Sequence, residues 1–249
     1  MAGIAVLGCP LIFAAFTAGQ TGGGAALPFA SGERLDYVVT LSNGNKVGTA
    51  GMWVEGPTDV RGSKTLLLRF DSRIRYMLVP GRSTSSSWFD PARGASLRFT
   101  KRERNPLSRH DEAFDLFPEE RRWKSEAGDS GSIPTAAPLD ELSFIYFIRT
   151  LELTPGAVYS FDRYFDAARN PTVVRVLRRE IIPTPLGELH VVRVEMRVRD
   201  PQHYAGEGII RIHLSDDACR IPVRIESTMP VIGTAVLTIM AAQSPCRLH

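Results

Sequence analysis

The sequence predicts an all-β protein with one buried helix: a curved antiparallel sheet or open β-barrel with the helix, at about 139–151, on its concave side. Short segments of alternating apolar residues, separated by turn residues, dominate the 249-residue chain. Segment 139–151 is apolar around nearly its whole circumference, which is typical of a buried helix. The C-terminal strands can be aligned with their apolar residues on one face.

The N-terminal segment indicates export. Its first 30 residues contain no charged side chain, and residues 4–16 form an apolar run ending in small residues. This is the pattern of a secretory signal without its basic n-region, and it is too short to span a bilayer comfortably. We expect a signal-like segment 1–26, a single β-domain 27–249 and a periplasmic or envelope-associated location. Lipidation at Cys9 stays an alternative, because Val6–Cys9 weakly resembles a lipidation box.

The first hairpin is predicted by alternation and by its turn. Leu35 to Leu41 alternate, Asn43-Gly44 tolerates the positive φ angles of a hairpin turn, and a second strand follows at 47–54. Further strands are predicted at 65–70, 74–79, 86–89, 96–101, 113–116, 158–165, 172–182 and 188–199. The sequence GDSGSIPTAAP, residues 128–138, predicts a flexible link.

The predicted helix has recognisable ends. Asp140 is a good N-cap, Glu141 favours the positive end of the helix dipole, and Pro155-Gly156 ends the element. Arg149 lies among apolar neighbours, where an unpaired charge is costly, and so it needs a carboxylate partner. We expect that partner to be Asp216 or Asp217.

Residues 211–225, RIHLSDDACRIPVRI, predict a hairpin around Asp216-Asp217. Folding there pairs Leu214 with Cys219, Ile212 with Ile221 and Ile210 with Val223. Pro222 cannot complete the hydrogen bonds of a two-residue loop, so we expect a four-residue loop, 215–218, around a type I turn.

The neighbouring strands extend this register. The preceding strand is expected to set Val198, Met196 and Val194 opposite Ile210, Ile212 and Leu214. A final strand at 234–241 returns so that Cys219 faces residue 244. Because export would place the chain in an oxidising compartment, we predict a Cys219–Cys246 disulfide.

The residues offer no reaction chemistry. Asp216 and Asp217 are adjacent on a turn and point in different directions, so we expect turn-forming carboxylates rather than an acid–base pair. The histidines and cysteines lack metal-ligand spacing, and Gly128–Gly131 and Arg61–Thr65 lack the partners of the protease and phosphate-loop motifs that they resemble. We expect no catalytic residue, no metal and no cofactor.

Charge gives one binding hypothesis. The formal net charge of +3 is too mild, and too evenly spread, to indicate nucleic-acid binding. The outer face of the last strands, however, is rich in arginine. It either binds an anionic envelope component or is simply a solvated face that discourages aggregation. The residues are Arg193, Arg197, Arg199, Arg211, Arg220 and Arg224, against Glu195 and Glu226.

Three segments carry a family resemblance: 29–37, 140–149 and 214–225. With them the chain resembles the bacterial domain of unknown function 3108 family, from about residue 28 to 242. The resemblance implies an exported cell-envelope protein with an antiparallel β fold, and it supplies no established activity and no catalytic residues. The motif residues are Asp140, Ser143, Tyr146, Arg149, Asp216, Asp217, Arg220 and Pro222.

Three functions stay open. The first is a non-enzymatic envelope protein that binds an amphiphile, such as a lipid or lipoprotein acyl chain, between sheet and helix. The second is a structural or adaptor module with a packed interior and an envelope protein as partner. The third is a hydrolase of unknown type. A cavity beneath the helix would support the first, and a packed core the second; the oligomeric state stays open.

Overall fold

The computed structural model describes residues 27–77, 79–106, 108–200, 206–229 and 233–245. Its strands form one antiparallel 14-stranded sheet that is not closed. They are β1 Arg34–Leu41, β2 Lys46–Val60, β3 Ser63–Tyr76, β4 Val79–Asp90, β5 Ala95–Asn105, β6 Ser108–Phe117, β7 Arg122–Ser125, β8 Ser130–Ser132, β9 Val158–Phe161, β10 Thr172–Thr184, β11 Gly187–Asp200, β12 Gly206–Ser215, β13 Pro222–Met229 and β14 Gly233–Gln243. The predicted fold class is confirmed.

The sheet is a meander whose first and last strands meet in the middle. Its order is β8-β7-β6-β5-β4-β3-β2-β1-β14-β13-β12-β11-β10-β9, so that β1 pairs with β14. β10 approaches β14 although three strands separate them in this order, which shows that the sheet is strongly curved. The two edge strands, β8 and β9, are short and so leave few backbone groups unpaired.

The helix α1, Glu141–Ile148, lies in the connection between these two edges and packs against β3 and β4. The backbone around it bridges the opening of the sheet. Leu139 donates its N–H to Arg163 O at 2.6 Å, and Phe165 donates to Leu139 O at 3.0 Å. Ser96 of β5 donates to Pro138 O at 2.8 Å. The helix is therefore held between the two halves of the sheet. Among the described residues, no helix is long and apolar enough to cross a membrane.

A continuous apolar row lines the inner face of the sheet. It crosses six neighbouring strands and is buried except for the partly buried Leu237: Val176, Val194, Ile212, Ile225, Leu237 and Val39. Because side chains alternate between the faces of a strand, this register puts the polar residues between them on the outer face.

The register of the C-terminal hairpin differs from the prediction. Ile212 pairs with Ile225 rather than Ile221, and the loop spans residues 216–221 instead of four residues. Asp217 Oδ1 accepts from the backbone N–H of Cys219 at 2.9 Å and of Arg220 at 3.0 Å, and it stabilises the longer loop. The shift is four residues at Ile212 and three at Leu214, and the bulge between His213 and Leu214 takes up the difference, so Ile212 and Ile225 still share the inner face.

Two further expectations are corrected. Val194 pairs with Ile212 and Met196 with Ile210, two residues from the predicted register of β11 and β12. The predicted flexible link, 128–138, contains β8 and the buried Ile133. Burial of the apolar Ile133 side chain is favourable, whereas a free linker would leave that side chain in solvent. The segment is therefore part of the sheet edge.

Candidate functional site

The N-terminus of α1 is fixed by a capping box, as Asp140 predicts. Asp140 Oδ1 accepts from the N–H groups of Leu142 and Ser143, both at 2.9 Å, and Ser143 Oγ accepts from Asp140 N at 2.9 Å. The same two side chains are tied to the sheet. Ser87 Oγ of β4 donates to Asp140 Oδ2 at 2.5 Å, and Ser96 Oγ of β5 donates to Ser143 Oγ at 2.8 Å.

Burial gives Asp140 an unusual titration. Desolvation raises the pKa of its carboxyl to about 6, although hydrogen bonds from Ser143 and Ser87 act in the opposite direction. Between about pH 4 and 6 the unfolded chain ionises while the native carboxyl stays protonated. As the pH rises through this range, the free energy of unfolding should therefore fall by up to about 1.4 kcal/mol per pH unit. Above this range the loss of stability should be constant.

Urea unfolding of Asp140→Asn against the parent protein checks this prediction. Asparagine keeps an N-cap but does not titrate. The parent should lose stability relative to the variant from about pH 4 to 6, and parallel pH profiles would contradict the assignment.

The C-terminal end of α1 carries a buried ion pair. The guanidinium of Arg149 donates to Glu33 Oε1 at 2.7 Å and to Oε2 at 2.8 Å, and both side chains are 0 % exposed. The same guanidinium donates to the carbonyls of Pro28 at 2.8 Å and Cys219 at 3.0 Å. Ser244 Oγ adds a hydrogen bond to Glu33 at 3.2 Å. We call Glu33, Arg149 and the groups that contact them the buried node.

The expected pairing of Arg149 with Asp216 or Asp217 is wrong. Asp216 pairs with Arg179 of β10 at 2.8 Å, and Asp217 accepts bonds from its own loop. The longer loop presents a backbone carbonyl, that of Cys219, to Arg149 instead of a carboxylate. Sequence analysis missed Glu33, although it lies in the first family segment.

Aromatic rings enclose the buried node. The Phe29 and Tyr146 rings meet edge to face at 4.9 Å, and the Arg149 guanidinium carbon lies 5.3 Å and 5.4 Å from their centroids. Tyr37 donates its hydroxyl to Pro222 O at 2.8 Å. Burial raises the pKa of the Tyr37 and Tyr146 hydroxyls, which therefore stay protonated.

Arg220 belongs to this site and not to the outer arginine face. Its backbone has φ of +46°, and its guanidinium donates to the carbonyls of Arg149, at 3.1 Å, and Leu151. These carbonyls follow the last turn of α1, where a cation satisfies unpaired acceptors and the helix dipole. The expected surface role of Arg220 is therefore replaced by a helix-capping role.

Two of the remaining arginines of that face share one carboxylate. Glu195 accepts from Arg197 at 2.9 Å and from Arg211 at 3.3 Å, and Arg224 donates to Pro183 O at 3.3 Å. Burial would raise the pKa of Glu195, but hydrogen bonds and the charges of Arg197 and Arg211 hold it below its usual range. This compensation favours a solvated face; anion binding by these residues, with Arg193 and Arg199, stays a prediction.

Only one of the two cysteines of the predicted disulfide lies among the described residues. Cys219 is buried and its sulfur is disulfide-bonded. Cys246 lies outside the described residues, so the pairing stays a prediction. Within the part of the chain that the structure describes, no group of three or more His, Cys, Asp or Glu side chains is placed to hold a metal ion.

All three segments of the family resemblance meet at the buried node. Segment 29–37 supplies Glu33 and two aromatic rings, 140–149 supplies the helix, and 214–225 supplies the Cys219 carbonyl and the Arg220 cap. A family model described as a protein of unknown function, DUF3108, matches residues 36–240. The chain belongs to the DUF3108 family.

Other comparisons bear on the fold alone. This DUF3108 chain is similar to the solved structure of a β-barrel-like protein of domain of unknown function DUF1849 from Brucella abortus. The TM-score is 0.57 at 14 % identity, covering 86 % of this chain and 98 % of that one. A DUF1089 family protein from Pseudomonas aeruginosa matches with a TM-score of 0.33 at 10 % identity, covering 84 % and 96 %. No curated protein matches.

For this DUF3108 member, the chemistry of the site is structural. Both partners of the ion pair are fully buried, so they offer no surface to a soluble substrate. The hydrogen bonds instead join the N-terminal segment, α1, the β12–β13 loop and the residues after β14. The arrangement can hold four distant parts of the chain together.

Proposed function

We propose that this DUF3108 protein is an exported, non-enzymatic envelope protein whose interior is filled by its own side chains and which acts through its surface, as an adaptor module. The packing of α1 carries the proposal. Leu142, Phe144, Tyr146 and Ile148 are all buried against the sheet. Interiors packed in this way leave no room for an acyl chain without displacement of side chains.

Polar contacts at both ends of α1 favour a permanent position for the helix. Asp140 and Ser143 bond to Ser87 and Ser96 at one end, and Arg149 bonds to Glu33 at the other. Lifting the helix to admit an amphiphile would leave these buried groups unpaired, at a cost of about 1–3 kcal/mol for each polar group and more for the charges.

One groove in the sheet lies away from α1. A groove of about 590 Å³ lies at the far ends of β2 to β6, and residues such as Ile74, Pro80 and Pro106 line it. None of its lining residues belongs to α1. The amphiphile hypothesis therefore has less support than the adaptor hypothesis. Export is supported by the signal-like segment 1–26, which lies outside the described residues.

Native mass spectrometry on protein purified from its own envelope tests the proposal. We expect the mass of the polypeptide alone, and no acyl-chain compound in a solvent extract of the same sample. A stoichiometric lipid in both measurements would support the amphiphile hypothesis and reject this one.

A further inference from the structure

Four arginines form a row across β3 to β6 on the outer face of the sheet. Arg73 of β3 lies directly opposite Arg82 of β4, Arg82 opposite Arg104 of β5, and Arg104 opposite Arg109 of β6. Like charges that face each other across neighbouring strands destabilise a sheet. A row of this kind is therefore not explained by folding. We call these four residues the arginine row.

The face that carries the arginine row has more positive than negative charges. Arg75 and Arg102 share it, because each lies two residues from a member of the row. Two carboxylates oppose these six cations: Asp71 contacts Arg82 at 2.5 Å and Arg73 at 3.5 Å, and Asp111 contacts Arg104 at 2.5 Å. Within the described residues, Arg75 and Arg109 form no ion pair. The face has a local excess of about four positive charges.

An exposed apolar tip extends beyond these arginines. Met77, at the turn between β3 and β4, is 80 % exposed, and Val79 is 44 % exposed. Nothing described in the structure covers them. From the rise of a strand, Arg75 lies about 7 Å and Arg73 about 13 Å behind Met77 along the hairpin. The surface thus combines an exposed apolar turn with arginines on the strands behind it.

We propose that the arginine row, Arg75, Arg102 and the exposed side chains of Met77 and Val79 form a docking surface for an anionic phospholipid bilayer; this rests on the proposed function, since it names the surface that acts. The headgroup region of one leaflet is about 5–8 Å thick, so Met77 at the hydrocarbon boundary brings Arg75 to the depth of the phosphates. The arginine row, about 13 Å behind Met77, then lies just outside the headgroups, within about one Debye length of the phosphates, where its charges still attract them. Guanidinium groups bind phosphate through paired hydrogen bonds, and their apolar stems can lie along lipid chains.

Vesicle co-sedimentation of the full chain tests this assignment. Phosphatidylcholine vesicles are compared with vesicles in which about a third of the lipid is phosphatidylglycerol. We expect binding to the anionic vesicles only, and Arg75→Glu/Arg109→Glu should weaken it by at least about 25-fold, roughly fivefold for each arginine lost. Met77→Asn, which tolerates the positive φ of this position, should also weaken binding.

The matched control is Lys64→Glu/Lys124→Glu, which changes the net charge equally on exposed lysines at the opposite ends of their strands, away from the arginine row. It should bind like the parent protein. Equal binding by parent and Arg75/Arg109 variant, or binding to soluble heparin without binding to vesicles, would overturn the proposal. A co-purifying lipid that Arg75→Glu/Arg109→Glu still carries would reject the packed-interior function but not this surface, whereas a lipid lost with these arginines would be bound at the surface; the two failures are therefore distinguishable.

Discussion

Replacing Arg149 by methionine should lower the free energy of unfolding by about 3–5 kcal/mol, because it leaves the carboxylate of Glu33 buried without its cation. The carbonyls of Pro28 and Cys219 lose a donor in the same substitution. Urea unfolding, followed by far-ultraviolet circular dichroism, measures the loss.

Two variants sharpen this experiment. Glu33→Leu/Arg149→Met removes both charges and should be more stable than Arg149→Met alone, because no buried charge stays unpaired. Arg179→Met removes the more exposed pair with Asp216 and should cost no more than about 1 kcal/mol. If Arg149→Met cost as little as Arg179→Met, the buried node would not hold the fold.

Phe144→Ala should cost about 3–5 kcal/mol, because it empties a site that the helix fills beneath the sheet. Its ring contacts Phe147 at 5.8 Å and Phe161 at 6.1 Å between centroids, so these rings lose a partner as well. Thermal and urea unfolding measure the effect.

Phe147→Ala is the matched control on the same helix. Phe147 is only partly buried, so its loss should cost clearly less than that of Phe144. A similar loss of unfolding free energy for both variants would mean that α1 is loosely packed against the sheet. A lipid that binds to Phe144→Ala but not to the parent would show that packing, rather than chemistry, keeps the interior free of ligands.

Local structure could be predicted from the sequence where the signal is local. Asp140 forms the N-cap that the sequence predicts, since capping needs only residues within one turn; the reciprocal bond from Ser143 was not predicted. The apolar alternation of Leu35 to Leu41 likewise predicts the inner face of β1. These patterns depend on sequence spacing alone, and the fold class followed from them.

Long-range pairing could not be predicted in the same way. Arg149 needed a carboxylate, but Glu33 is 116 residues away in the sequence, and no local pattern links two residues at that separation. Asp216 or Asp217 was expected instead, as a partner that would tie the helix to the hairpin. The six-residue loop, stabilised by the Asp217 side chain, sends Asp216 toward Arg179 instead.

The arginine row was also missed, for the same reason. Its members come from four strands, and they face each other only in the observed registers. Sequence analysis found the arginines of the last strands, where Glu195 pairs with Arg197 and Arg211.

Native-state hydrogen exchange of the α1 amides tests the packed interior most directly. The N–H of Phe144, bonded to Asp140 O at 3.0 Å, is one reporter, and the amides of β1 and β12 give the reference for global unfolding. We predict that α1 exchanges only with the global free energy of unfolding, and that added dodecanoate changes nothing. Exchange of α1 through a smaller opening that dodecanoate suppresses would contradict the account.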